Sequence, residues 1–147
     1  MAVPPVPPGH NTVSPYLIVS DPAGLIEFLQ KTFNATELFR MRLQDGRVMH
    51  AEVRIGDSVV MMGQASDQHP AMPAVVHVYV ADVDAAYARG LQAGASTIMA
   101  PTDQFYGDRS GGLRDAYGNQ WWIATHREDV PDDELARRAE AFSRSRG

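Results

Sequence analysis

Cysteine is absent from the 147 residues, which excludes disulfides, thiolate metal centres and a cysteine nucleophile. Such a chain suits a reducing compartment, and a cytoplasmic location is the expectation. Long apolar runs are also missing, so no membrane-spanning helix is expected. Positive charge is in short supply, with 13 Lys and Arg against 18 Asp and Glu and a net charge of −5. Nucleic-acid binding relies on clustered Lys and Arg, so neither nucleic acid nor a membrane is an expected partner. The one concentration of arginines, at Arg137, Arg138, Arg144 and Arg146, is interleaved with acids and reads as a solvated helix face. There is no phosphate loop, nucleophile elbow or dinucleotide fingerprint. The first ten residues lack the basic start and apolar stretch of a secretory signal. Their four prolines instead predict an extended, poorly ordered lead-in over residues 1–11.

What is present is an ordinary globular composition, 44% apolar and 21% charged, in a length that fits one compact domain. Within it, one pattern occurs twice. Leu17-Ile18-Val19-Ser20-Asp21 precedes a helical pattern carrying Leu25, Ile26, Phe28 and Leu29. Val78-Tyr79-Val80-Ala81-Asp82 precedes another, carrying Ala85, Ala86, Tyr87 and Leu91. Asp21 and Asp82 stand where a helix N-cap is wanted, with Pro22 at the first helical position. Asn34 and Gly94 suit the left-handed residue that closes a helix. Gly56-Asp57 before Val59–Met62, and Gly118-Asn119 before Trp121–Ala124, are hairpin turns between apolar runs. Strands are expected between, over 37–44 and 48–55 around Asp45-Gly46, and over 96–100 and 110–115. Matching points lie about sixty residues apart, which marks a duplicated unit. The fold class is therefore α+β, with two βαβββ modules over 12–65 and 74–127 joined by a linker at 66–73. A terminal helix follows over 128–147, its apolar stripe formed by Leu135, Ala139 and Phe142.

Side chains alternate along a strand, so parity sorts the faces. Leu17, Val19, Val59, Met61, Val76, Val78, Val80, Trp121 and Ile123 are expected to face the helices. The opposite set contains Ser14, Tyr16, His50, Glu52, Val60, Met62, His77, Tyr79, Ser110, Gly112, Trp122 and Ala124. Aromatic and sulfur-bearing walls with a few placed polar groups suit a ligand cavity. Ligand contacts are accordingly expected from Tyr16, His50, Glu52, Met62, His77, Tyr79, Ser110 and Trp122.

The run Tyr106–His126 resembles the closing hairpin of the vicinal-oxygen-chelate superfamily, which holds glyoxalase I, bleomycin-resistance proteins, fosfomycin-resistance enzymes and extradiol dioxygenases. Residues 46–62 are similar to its glyoxalase-like branch. The resemblance covers about residues 12–127 and implies two modules that curve into a cup. It also implies, for the enzymes of that family, a divalent metal held by His, Gln or Glu at four positions. Transferred to this chain by the Asp and Gly landmarks, those positions are Ser14, Val60, Val75 and Trp122, and a one-residue slip to Met61 does not restore a donor set. Valine and tryptophan cannot coordinate and neutral serine is a poor ligand.

The expectation is thus a metal-free, cofactor-free protein that sequesters an apolar or aromatic small molecule, as bleomycin-resistance members do. The alternative is a divalent-metal-dependent lyase, isomerase or dioxygenase, with a displaced site at His50, Glu52 and His77 that could also act as base and orienter. A third reading is a metal-free enzyme or a partner-binding module using the same cup. His10, His69 and His126 are expected at the surface. Arg109 and Asp108 are read as pinning a hairpin or touching an anion, and Arg114 as facing Glu52. Half-cups with open edges further predict a two-fold homodimer.

Overall fold

A computed structural model describes residues 2–146, and two copies of one βαβββ unit account for its eight strands. The first contains β1 (Tyr16–Val19), α1 (Pro22–Phe33), β2 (Thr36–Arg42), β3 (Val48–Ile55) and β4 (Ser58–Gln64). The second contains β5 (Val75–Tyr79), α2 (Val83–Gln92), β6 (Ser96–Asp103), β7 (Asp108–Arg114) and β8 (Gln120–His126). A terminal helix, α3 (Asp132–Arg146), follows. Each module is a four-stranded mixed sheet, in the orders β1-β4-β3-β2 and β5-β8-β7-β6. The first strand of each lies parallel to the last, and the rest are antiparallel. Among the described residues no helix is long and apolar enough to cross a membrane.

The helices start and stop where their sequence says. Asp21 Oδ1 accepts from the Gly24 amide at 3.1 Å, and Pro22 occupies the first turn. Asp82 Oδ1 accepts from the Ala85 amide at 3.1 Å. Asn34 closes α1 in the left-handed region at φ 57°, and Gly94 follows α2 at φ 106°. Both conformations release the chain from the helix while its last carbonyls stay bonded. In α2 the buried face is Val83, Ala86 and Gly90, while Leu91 is exposed. Gly90 is required there, because a Cβ would strike Leu113 of β7 and crowd Thr32 of α1.

α1 packs on β3 and β4 and against α2, which packs on β6, β7 and β8. The two helices therefore share one core, built from Leu25, Ile26 and Leu29 of α1 with Val53, Met62, Leu113 and Trp121 of the sheets, all buried. Trp121 joins the modules, since its ring meets Phe33 at 5.6 Å and Phe28 at 6.4 Å, both on α1. Its Nε1 donates to Asp115 at 2.9 Å. The same buried carboxylate accepts from the Tyr117 amide, the Asn119 amide and Asn119 Nδ2. Such a cluster is tolerated in a core because every donor in it is met. At the terminus, α3 buries no residue fully; Phe142 stacks on Phe105 at 5.0 Å, and Leu135 and Ala139 are half-buried.

Candidate functional site

The sheet faces turned away from the helix layer carry the polar and aromatic candidates. On the first, Tyr16 of β1, His50 and Glu52 of β3, and Met61 of β4 lie across adjacent strands, with Tyr16 paired to Met61 and Glu52 to Met61. His50 and Glu52, two apart on one strand, share a face, and His50 Nε2 meets Glu52 Oε2 at 3.0 Å. The other oxygen, Oε1, meets His10 Nε2 at 2.7 Å. The Tyr16 hydroxyl lies 3.2 Å from His50 Nδ1, and the two rings stack at 5.7 Å. Phe39 of β2 lies 6.2 Å from the His50 ring. Hydrogen bonds from His50 and then His10 hold the Glu52 carboxyl below its ordinary range, against the opposing effect of partial burial. His10 in turn is raised, chiefly by its bond to Glu52.

Beside this cluster a cavity of about 750 Å³ opens between Tyr16, Ile18, Met41, Met49, His50 and Gln64. A second, of about 520 Å³, is bounded by His10, Thr12, Tyr16, Glu52 and Met61. Tyr16, Phe39, Met41 and Met49 are all exposed by more than a third, so this face is apolar and open beyond the N-terminal segment that places His10 on Glu52.

By strand register the second face carries His77 and Tyr79 of β5, Ser110 and Gly112 of β7, and Trp122 and Ala124 of β8, although Ser110 and Ala124 are buried there and not open to a ligand. His77 and Tyr79 rings lie 4.7 Å apart. Trp122 is half-buried, and its ring lies over Gly112, where a Cβ would come within 2.8 Å of it. Its Nε1 donates to Gln120 at 3.1 Å. Tyr79 donates to the buried Asp108 at 3.1 Å, which raises the phenol above its usual value. His126 Nδ1 meets the other oxygen of Asp108 at 2.7 Å, and its Nε2 meets Asp129 at 2.6 Å. Asp129 first and Asp108 second raise the His126 imidazole.

Several expectations are corrected by these positions. Met62 does not reach the ligand face; it is fully buried in the helix-facing core, as is Val60. Met61 takes the outer position beside Glu52, and Val59, on the same side of the strand by register, is itself buried. The reason is the two-residue turn at Gly56-Asp57, which sets Ile55 opposite Ser58 and hence Glu52 opposite Met61 and Ala51 opposite Met62. Alternation supplies two classes of residue, whereas the hairpin register decides which class goes where. That arithmetic was available in the sequence. His10, expected at the surface, is only 18% exposed at its side chain and binds Glu52; no local pattern points to a contact across 42 residues. His126 lies at the surface, as expected, and is paired on both nitrogens. Arg114 does not meet Glu52, whose two oxygens are taken by the histidines. Arg109 pins the hairpin, pairing with Asp84 of α2 and Asp103 of β6.

His77 sits on the other sheet from His50 and Glu52, so the displaced metal trio is not assembled. Among the described residues no group of three or more His, Cys, Asp or Glu side chains is disposed to hold a metal ion. The positions implied by family resemblance fare no better, since Val60 is buried on the helix side and Trp122 lies flat on Gly112. Within one chain, then, neither the displaced trio nor the four positions of the resemblance bring metal donors together among the described residues.

A family profile described as Glyoxalase/Bleomycin resistance protein/Dioxygenase superfamily matches residues 9–123. An uncharacterized protein of Mycobacterium tuberculosis is 36% identical over 137 residues, which cover 84% of this chain and 79% of that protein. An uncharacterized protein of Mycobacterium bovis is equally similar, with 88% of its length covered. Among solved structures, TioX from Micromonospora sp. ML1 superposes with a TM-score of 0.68 at 26% identity, covering 79% of this chain and 98% of that one. A glyoxalase/bleomycin resistance protein/dioxygenase from Nocardioides superposes at 0.59 with 19% identity, covering 84% and 88%.

Proposed function

The chain belongs to the glyoxalase/bleomycin resistance protein/dioxygenase superfamily, and from that premise we propose that it is a metal-free protein that sequesters an apolar or aromatic small molecule. A resistance-type role, removing a toxic compound from the cytoplasm, follows naturally. The observation that carries this reading is the open apolar face of the first module. Its cavity of about 750 Å³ lies within the span of about 300–1,000 Å³ usual for small-molecule sites. Methionine walls adapt to varied ligands, while His50, Glu52 and Tyr16 supply the few polar contacts that orient one. Trp122 and Tyr79 offer stacking surfaces on the second face.

The site is completed, in this reading, by a second copy of the chain. The helices of the two modules share a core, and the ligand faces are turned away from it. Each face exposes large apolar groups, Phe39, Met41 and Met49 on one sheet and Val75 and Tyr79 on the other. Open apolar sheet faces favour association. A two-fold dimer would set the first module of one copy against the second module of the other.

Native mass spectrometry of the purified protein, paired with elemental analysis, tests the proposal. The expected result is a co-purifying apolar or aromatic compound released on denaturation, with no transition metal approaching one equivalent. A near-stoichiometric metal that is lost on His50→Ala or Glu52→Ala would overturn it in favour of a metal-dependent lyase, isomerase or dioxygenase.

A further inference from the structure

We propose that Tyr16, His50 and Glu52 form a proton relay that makes the Tyr16 hydroxyl a nucleophile toward a carbonyl carbon, so that the first module's face can accept an acyl group from an apolar ester or amide. This goes beyond the binding reading and stands or falls separately from it.

The direction of the relay follows from donor and acceptor counts. An ionised carboxylate only accepts hydrogen bonds. Both Glu52 oxygens face imidazole Nε2 atoms, His10 at 2.7 Å and His50 at 3.0 Å, so both rings donate from Nε2. A neutral His50 then keeps its lone pair on Nδ1. The group opposite that lone pair is the Tyr16 hydroxyl, at 3.2 Å, which must donate. The phenol proton is thereby aimed at a base, and the oxygen lone pairs are left for the cavity. Tyr16 is 53% exposed and forms part of the wall of both cavities described above. Its placement depends on Gly63, where a Cβ would lie 2.5 Å from the hydroxyl oxygen.

On attack, the Tyr16 oxygen bonds to the carbonyl carbon while its proton passes to His50 Nδ1. The bond to the leaving group breaks, and that group takes the proton back from His50. An aryl ester and a neutral leaving group result, and no oxidant, reductant or metal is needed. At the moment of transfer the charges alternate, negative on the phenol oxygen, positive on the imidazole and negative on Glu52, so each lies beside its opposite. His10, on the far oxygen of Glu52, holds that carboxylate in place. Tyr79 provides the contrast within the same chain. Its hydroxyl donates directly to the Asp108 carboxylate, which opposes loss of the proton instead of receiving it through a base.

The test uses the full chain and the general phenol reagent N-acetylimidazole at neutral pH, with O-acetylation located on each tyrosine by peptide mass spectrometry. General-base assistance contributes about 10²–10⁴-fold, so Tyr16 is expected to react at least about tenfold faster than Tyr79 and Tyr106, which are also exposed. His50→Phe and Glu52→Gln should each bring Tyr16 down to the rate of Tyr106. Gly63→Ala should do the same with every relay group still present. An unchanged Tyr79 rate reports that each variant remains folded; should one of them unfold, the others carry the test. Equal rates for Tyr16 and Tyr106 in the unaltered chain would overturn the proposal, as would fast Tyr16 labelling that survives His50→Phe.

Discussion

Alanine in place of Trp121 or of Trp122 probes adjacent residues of one strand with opposite fates. Trp121 is fully buried, touches Phe28 and Phe33 of α1 and donates to Asp115. Truncating a buried aromatic costs about 3–5 kcal/mol. Depriving Asp115 of one of its four donors adds about 1 kcal/mol. The total, about 4–6 kcal/mol, is a large share of the roughly 5–15 kcal/mol that holds a domain folded. With a urea dependence of about 1–3 kcal/mol per molar, about 2 at mid-range, the unfolding midpoint should fall by about 2–3 M. Trp121→Phe is an intermediate case, since it keeps one aromatic ring against α1 but loses the N–H and part of the indole volume, and should cost about 2–3 kcal/mol. Trp122 is half-buried on Gly112, and Trp122→Ala should cost only about 1–2 kcal/mol while weakening any ligand that stacks on it. The assay is urea unfolding at a fixed protein concentration, with far-ultraviolet circular dichroism as the signal. Equal destabilisation by the two alanine variants, or a greater loss from Trp122→Ala, would refute the assignment of faces.

Two further expectations concern titration and assembly. The His126 imidazole is raised by Asp129 and Asp108, so its contribution to stability is fully present below the unfolded value near 6.5 and is lost as pH rises through the higher folded value. Ring-proton NMR should place its midpoint above 6.5, and His126→Gln should flatten the decline of stability across that window; a midpoint at or below the ordinary value would contradict the bonding described. Sedimentation at micromolar concentration should give twice the chain mass of 16.1 kDa, and a clean monomer would require the ligand face to work uncovered.

Local rules carried much of the fold. Asp21, Pro22 and Asn34 bound α1 by chemistry that acts within a few residues, and the Gly-Asp and Gly-Asn turns recur because each module closes with the same hairpin. The second face was legible for the same reason, since the parallel pairing of β5 with β8 keeps His77 beside Trp122 and Tyr79 beside Ala124. The fourth strand was misread because alternation does not state its own phase, and one residue of phase exchanges Met61 with Met62.

By itself, the sequence determined the duplicated βαβββ order, the capped helices and an alternation that gives every strand one helix-facing side. These depend on propensity, periodicity and turn chemistry, which act over short separations. Tertiary structure alone decided that His10 reaches Glu52, that His77 stays on the other sheet, and that Trp121 of one module packs on the helix of the other. Those contacts join residues dozens of positions apart, and their partners are chosen by how the two helices pack into one core, a property of the assembled modules that no local pattern encodes.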